Sequence, residues 1–471
     1  IPGEPERFSI RFTTPQVASK RGLRLVVKCL DGVKVAAEAK RRFTVYPRAP
    51  IRTDTKVSVL DPEGAFSEKL AERGMPFTPV STIPDSGVLL VAPCKLEPAD
   101  AERLLEAVRS GLRAVVLEPS NPELLSKDLA CGVQLLSPVV FPRAGKHPVL
   151  KGISPDDLRM WRGDNLVSSA DFVRPTHGGY LTILETGGEG GLLYSPLLEK
   201  RLGRGRLLLC RLKIAGKLGA EPTSGLLLAN ILDYAATAVP ETKPLALAPG
   251  SIEPCIRVLA GVGAVTRPMP APAELSIRET PVLLASGRGA IADLADSASD
   301  VRAFVRKGGI VWLNGLTPES RGALDALIPG MVKVVPRSIR HEQLEKCSGD
   351  RLLDGINHSD LFWSTGDAAT TGPIISNCLK ATASRASVLL REPRVTGPIS
   401  ANTNAQQIAG MTRDRNAITP IPDPAAALVK VPFGRGCFIL DQVAWPAAPE
   451  NNLNARRYLS ALLANLGVEF E

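Results

Sequence analysis

The chain has 471 residues, 44% of them hydrophobic and 22% charged, which suits two or three globular domains and excludes a disordered chain. Its formal charge of +9 comes from 57 Lys and Arg against 48 Asp and Glu, but the basic residues are spread out and aromatics are only 4%, which argues against nucleic-acid binding. No apolar run approaches the ~20 residues that span a bilayer, so no membrane segment is expected.

Residues 1–48 alternate as strands do. Phe8, Ile10 and Phe12 are spaced by two, Leu23 to Leu30 forms a second strand, and Asp31-Gly32 is a favoured hairpin turn. A third strand ends at Phe43-Thr44-Val45-Tyr46. Three strands bury too little alone and are read as the tail of a β-sandwich. From residue 51 the rhythm becomes strand, helix, strand. Val57 to Leu60, Pro76 to Val80 and Val88 to Ala92 are strands, and Glu97 opens a helix that Gly111 ends. Leu112 to Leu117 is apolar enough to be covered on both faces. Short loops between alternating strands and helices predict a parallel sheet with helices on both sides.

The same pattern recurs. Leu245 to Leu247, Ala264 to Met269, Val282 to Ala285 and Ile310 to Leu313 repeat the strands, and Arg306-Lys307-Gly308 repeats the helix end Arg109-Ser110-Gly111. The segment HPVLKGISPDDLRMWRGD (His147 to Asp164) aligns without a gap with DRLLDGINHSDLFWSTGD (Asp350 to Asp367), and Asp157 falls on Asp360. Gly203-Arg204-Gly205 and Gly434-Arg435-Gly436 each lead into an apolar strand, and apolar helices follow at Leu226 to Tyr234 and Tyr458 to Leu466. So long a period signals duplicated domains. The Pro-rich joint 239–244 separates them, and 392–425 reads as a long loop.

Few motifs carry chemistry. His147, His177, His341 and His358 show no metal spacing, and the eight cysteines include no CxxC pair. Several cysteines sit in apolar runs as buried hydrophobes, and the sequence leaves disulfide pairing open. Gly287-Arg288-Gly289 lacks the Lys-Ser/Thr of a phosphate loop, and the two Gly-Arg-Gly runs precede strands rather than helices, so all three read as turns. Cys94, between a strand and a helix, is a conceivable nucleophile with no histidine near it in sequence. The most distinctive run is Trp161-Arg162-Gly163-Asp164, whose last two residues recur as Gly366-Asp367. Trp161, Arg162, Asp164 and Asp367 are the candidate contacts with a sugar or a partner domain. The competing reading is a turn pinned by Asp164 with the tryptophan covering the sheet edge, and recurrence in both repeats favours it. No catalytic, cofactor-binding or metal-ligating residue is assigned.

The strand–helix–strand opening, the GIxxxDL…WRGD segment and the closing GRGRLLLC strand resemble the class I glutamine amidotransferase-like domain, of the kind that serves as the trimerisation domain of some β-galactosidases. The whole resembles the C-terminal region of large bacterial proteins related to glycoside hydrolase family 2. The resemblance implies two tandem flavodoxin-like three-layer α/β/α domains with mostly parallel sheets: 49–242 and 243–471, after a β-sandwich tail at 1–48. Family members carry a nucleophilic cysteine in a sharp turn after the third core strand. Here Glu118-Pro119-Ser120-Asn121 and Asn314-Gly315-Leu316-Thr317 stand in that place, and the family's His-Pro-Glu is reduced to Ala220-Glu221-Pro222 and Ala448-Pro449-Glu450.

The expectation is therefore a non-catalytic structural or oligomerisation region, without cofactor, of a glycoside hydrolase-like protein. A chain starting at Ile1 is read as a fragment or processed chain. Its expected partners are catalytic and β-sandwich domains upstream, further copies of itself, and carbohydrate; a glycosidase context points to an extracellular or periplasmic location. The alternatives are a diverged hydrolase with its own site and a carbohydrate-binding accessory module, against which the low aromatic content counts.

Overall fold

The computed structural model describes residues 11–471 apart from 48–50, 52, 127–128, 133–134, 189–190, 337–343, 364–373, 376, 394, 397–418, 421–422 and 449–451. Arg21–Asp31 and Lys34–Val45 pair as an antiparallel hairpin, and Gly32 (φ 63°) turns where Asp31-Gly32 was expected to. Leu23, Leu25 and Val27 are half-buried on one face, and Val45 is buried at the hairpin base. Phe8 and Ile10 of the expected first strand lie outside the described residues.

The first repeat builds a parallel sheet in the order Thr78–Val80, Val57–Leu60, Val88–Val91, Arg113–Leu117, Gly205–Cys210, so the second strand is outermost and the first lies beside the third. Alternate side chains go to opposite cores because strand side chains alternate faces. Val88, Leu90, Val115 and Leu117 meet the helices Ala65–Glu72 and Pro222–Ala236. Leu89, Val91, Ala114 and Val116 meet the helix Pro98–Ser110. Helices thus cover both faces, which is why these strands read as unbroken apolar runs.

The second repeat follows the same order: Thr266–Pro268, Leu245–Leu247, Val282–Ser286, Ile310–Asn314, Gly436–Asp441. Glu253–Gly261 and Leu453–Asn465 cover one face, and Arg288–Asp296 with Ala298–Lys307 cover the other. All eight cysteines are free.

Each parallel sheet continues into an antiparallel half that the strand–helix rhythm did not announce. In the first repeat Gly191–Leu202 and Tyr180–Gly188 extend it. In the second Ala426–Phe433 does, pairing with Ser387–Arg391 and Cys378–Ala381. Much of the 392–425 stretch lies outside the described residues; among those described, Val395–Thr396 and Thr419–Pro420 form a short pair.

The repeats share small devices as well as topology. Both Gly-Arg-Gly runs are turns seated on a helix end: Arg204 N–H donates to Arg109 C=O (3.0 Å) and Arg435 N–H to Arg306 C=O (3.1 Å). A Cβ on Gly205 would run into the Val108 and Leu112 carbonyl oxygens, and one on Gly436 into those of Gly309 and Val305. Asn230 on one closing helix donates to the carbonyls of Val149 (3.0 Å) and Lys151 (2.8 Å). Asn465 on the other donates to Leu352 (3.0 Å) and Asp354 (2.8 Å), the residues that the sequence alignment pairs with them.

Candidate functional site

Open α/β sheets place their ligands at the carboxyl ends of the parallel strands. In the first repeat Glu118 occupies the sharp turn after Arg113–Leu117, in the left-handed region (φ 44°), and its N–H donates to Cys210 C=O (2.6 Å). Burial pushes its carboxyl up, opposed by the charges of Lys213 and Arg211, and Oε1 is buried without a hydrogen-bond partner. Cys94 is half-buried; burial first, then Asp61, Glu63 and Asp100, push its thiol up, which disfavours the nucleophilic thiolate. Among the described histidines, His147 meets Glu199 (3.3 Å) inside the first repeat, His177 meets Thr176 (3.2 Å), and His358 is exposed on a surface turn. None of them is among the groups acting on Cys94 or Glu118.

In the second repeat Gly315 (φ 74°) stands where Glu118 does, its N–H donating to Asp441 C=O (3.2 Å). Buried Ser286 Oγ donates to Asn314 Oδ1 (3.2 Å), and Asn314 Nδ2 donates to the carbonyls of Asp441 and Val443. Asp441 accepts from Trp312 Nε1 (3.1 Å), Trp445 Nε1 (2.8 Å) and Val443 N–H (2.9 Å). Burial pushes its carboxyl up to about 6. This cluster satisfies its polar atoms from within, as packing requires.

The richest arrangement of charge lies instead along the seam between the repeats. Arg143 and Arg174 of the first repeat, each almost fully buried, converge on Asp360 of the second. Arg174 Nη2 donates to Asp360 Oδ1 (2.6 Å), and Arg143 donates to Asp360 Oδ2, to Glu185 and to Gly355 C=O (2.7 Å). Asp360 closes a capping box with Asn357, whose Nδ2 reaches Glu185 Oε1 (3.3 Å). Burial opposes ionisation of Asp360, but Arg143 and Arg174 outweigh it and hold the carboxyl below the ordinary aspartate range. Gly355 is left-handed (φ 71°), and Leu181 of the first repeat occupies the space a Cβ would need.

Asp157, in the same place in the first repeat, closes the equivalent capping box with Ser154. It accepts from Lys20 and Tyr46, the two residues flanking the hairpin base. Burial again opposes ionisation, and these bonds hold it below the ordinary range. In both repeats a tryptophan indole donates to the carbonyl of this aspartate: Trp161 to Asp157 (2.8 Å) and Trp363 to Asp360 (2.7 Å).

The candidate contacts separate. Trp161 is buried in the first-repeat core and presents no face to solvent. Arg162 is exposed beside Ala220 and Glu221. Asp164 is at the surface, paired with Lys217 and Lys213; the Lys217 bond first, then Leu166 N–H, pull its carboxyl well down. Asp367 lies outside the described residues. Sequence reading passed over Arg143, Arg174, Glu185 and Arg457. The signal for Asp360 was present, since Asn357-x-x-Asp360 and Ser154-x-x-Asp157 are paired capping boxes at aligned positions.

No protein-family model matches the chain, and no curated protein matches it. Among solved structures it is similar to a cytoplasmic protein from Salmonella typhimurium (11% identity, 45% of this chain and 95% of that one, TM-score 0.26). It is also similar to a β-galactosidase from Rahnella sp. R3 (14%, 54% and 35%, TM-score 0.25) and an exo-β-1,4-mannosidase from an Opitutaceae bacterium (13%, 54% and 40%, TM-score 0.25). Glycoside hydrolases are thus among the distant neighbours over about half of the chain, which spans 35–40% of their length. Likenesses this weak carry no argument about the site.

Proposed function

We propose that this chain is a non-catalytic assembly region of a glycoside hydrolase-like protein. It comprises a β-sandwich tail (1–48) and two flavodoxin-like, class I glutamine amidotransferase-like domains (49–242 and 243–471), each docked on the module before it through one repeated aspartate. The observation that carries the reading is that Asp157 and Asp360 close equivalent capping boxes, and each takes cationic or phenolic donors from the preceding module. The strand order, with the second strand outermost and the first beside the third, supports the flavodoxin-like layout. The glycosidase context, and with it a carbohydrate substrate and self-association, rests on the resemblance of the sequence motifs.

A diverged hydrolase in the first repeat is the second reading, favoured by the left-handed Glu118 with its unpartnered, buried carboxylate oxygen at the turn where a nucleophile would stand. One experiment separates the two. Full-length protein carrying Glu118→Gln, assayed on chromogenic glycosides and esters, keeps its turnover under the assembly reading. Loss of turnover with the fold intact contradicts that reading and establishes the second.

A further inference from the structure

Among the described residues, the seam carries more positive charge than its acids balance. Among those residues, Arg143, Arg174 and Arg457 meet there with Asp360 and Glu185 as the acids they face, and these already serve Arg143 and Arg174. Lys346 also approaches Arg143 and Asp360, and Asp354 faces it as its own counter-charge. Arg457 projects from the closing helix Leu453–Asn465 and is 8% exposed. Among the described residues it donates two long bonds, both to uncharged acceptors, from Nη1 to Asn454 Oδ1 (3.3 Å) and from Nη2 to Arg174 C=O (3.5 Å). Burial first, then the charge of Arg174, lower its affinity for the proton. Arg174 spends Nη1 on Leu192 C=O and Nη2 on Asp360. Nε–H of Arg174 and Nε–H of Arg457 are both buried without a partner. A buried guanidinium in excess of its acids is costly unless a counter-charge accompanies it.

We propose that a monovalent anion binds at the seam beside Arg457, drawing on the Nε–H donors of Arg457 and Arg174, and that it cements the second repeat to the first. A single negative charge neutralises the excess. The two donors suit a halide or a carboxylate, and the salt used in the test tells these apart.

The test is thermal unfolding of the whole chain in sodium bromide, acetate and phosphate at constant ionic strength, with diffraction from crystals grown in bromide. The expected result is a Tm rise on the order of 2 °C that saturates in bromide or acetate. Arg457→Met abolishes that rise and the exposed-site control Arg204→Met keeps it. A bromide anomalous peak beside Arg457 supports the halide form. A rise in acetate alone supports the carboxylate form. A wild-type Tm indifferent to all three salts, with no bromide peak at the seam, overturns the proposal. So does a rise that Arg457→Met retains. If Arg457→Met does not fold, the wild-type salt series and the bromide map decide on their own.

Discussion

Asp157 and Asp360 occupy one position in two copies of a fold, and each receives side chains from whatever precedes its copy: Lys20 and Tyr46 from the hairpin, Arg143 and Arg174 from the first repeat. The capping box explains the recurrence. One carboxylate oxygen closes the turn on its own backbone, at Ser154 N–H (2.7 Å) and Asn357 N–H (3.0 Å), which fixes the carboxylate's direction and leaves it facing the neighbouring module.

Removing one partner of a buried ion pair leaves the other charged and unpaired. Asp360→Ala strands Arg143 and Arg174, and a loss of about 3–5 kcal/mol is expected from denaturant unfolding. The two repeats should then unfold in separate steps where wild type shows greater cooperativity.

Asp360 also makes a pH prediction. Its carboxyl is held below the ordinary aspartate value of about 3.9, so the unfolded chain takes up the proton first as pH falls. Its stabilisation is complete above about pH 4 and is lost as pH drops through the lower, folded value. Wild type should lose stability more steeply below pH 4 than Asp360→Asn, as read from urea midpoints across that range.

Asp441 behaves in the opposite sense. Its folded value, about 6, lies above the unfolded one, so folding favours the protonated form. Stability from this group is full below about pH 4 and falls as pH rises towards 6, by roughly 3 kcal/mol. Because Trp312 and Trp445 donate to this carboxyl, tryptophan emission should change with a midpoint near that of Asp441. Asp441→Asn should remove the step, and Trp161→Phe should leave it.

Gly205→Ala and Gly436→Ala each drive a methyl into helix-end carbonyls, and a loss of about 3 kcal/mol is expected for each by calorimetry. Gly289→Ala, on a helix with open space around it, should be neutral or slightly stabilising.

Much of the duplication was legible because it is local. The Gly-Arg-Gly turns, the helix-ending Gly111 and Gly308 and the paired Asp157 and Asp360 are short-range signals, and the parallel strands are buried on both faces and so read as apolar runs. The antiparallel halves were not legible. Tyr180–Gly188 and Gly191–Leu202 bury Thr182, Glu185, Ser195, Glu199 and Lys200, which break the apolar pattern; Glu185, Glu199 and Lys200 find partners distant in the chain. Glu199, for example, meets His147, Arg206 and Tyr234; burial opposes its ionisation, but His147, Arg206 and Arg201 hold its carboxyl down to about 2. Trp161 stands out in the sequence for a related reason: its ring is core and its single polar atom is answered within its own turn. Arg143 and Arg174 carry no local pattern at all; their meaning appears only when the second repeat arrives.

The most direct test of the docking account is a double-mutant cycle of Arg143→Met and Asp360→Asn on the stability of the whole chain. A coupling of about 2 kcal/mol between the two is predicted, since both side chains are buried where they meet. Effects that add within about 0.5 kcal/mol would contradict it, leaving the shared aspartate a turn former with no hold on the module before it.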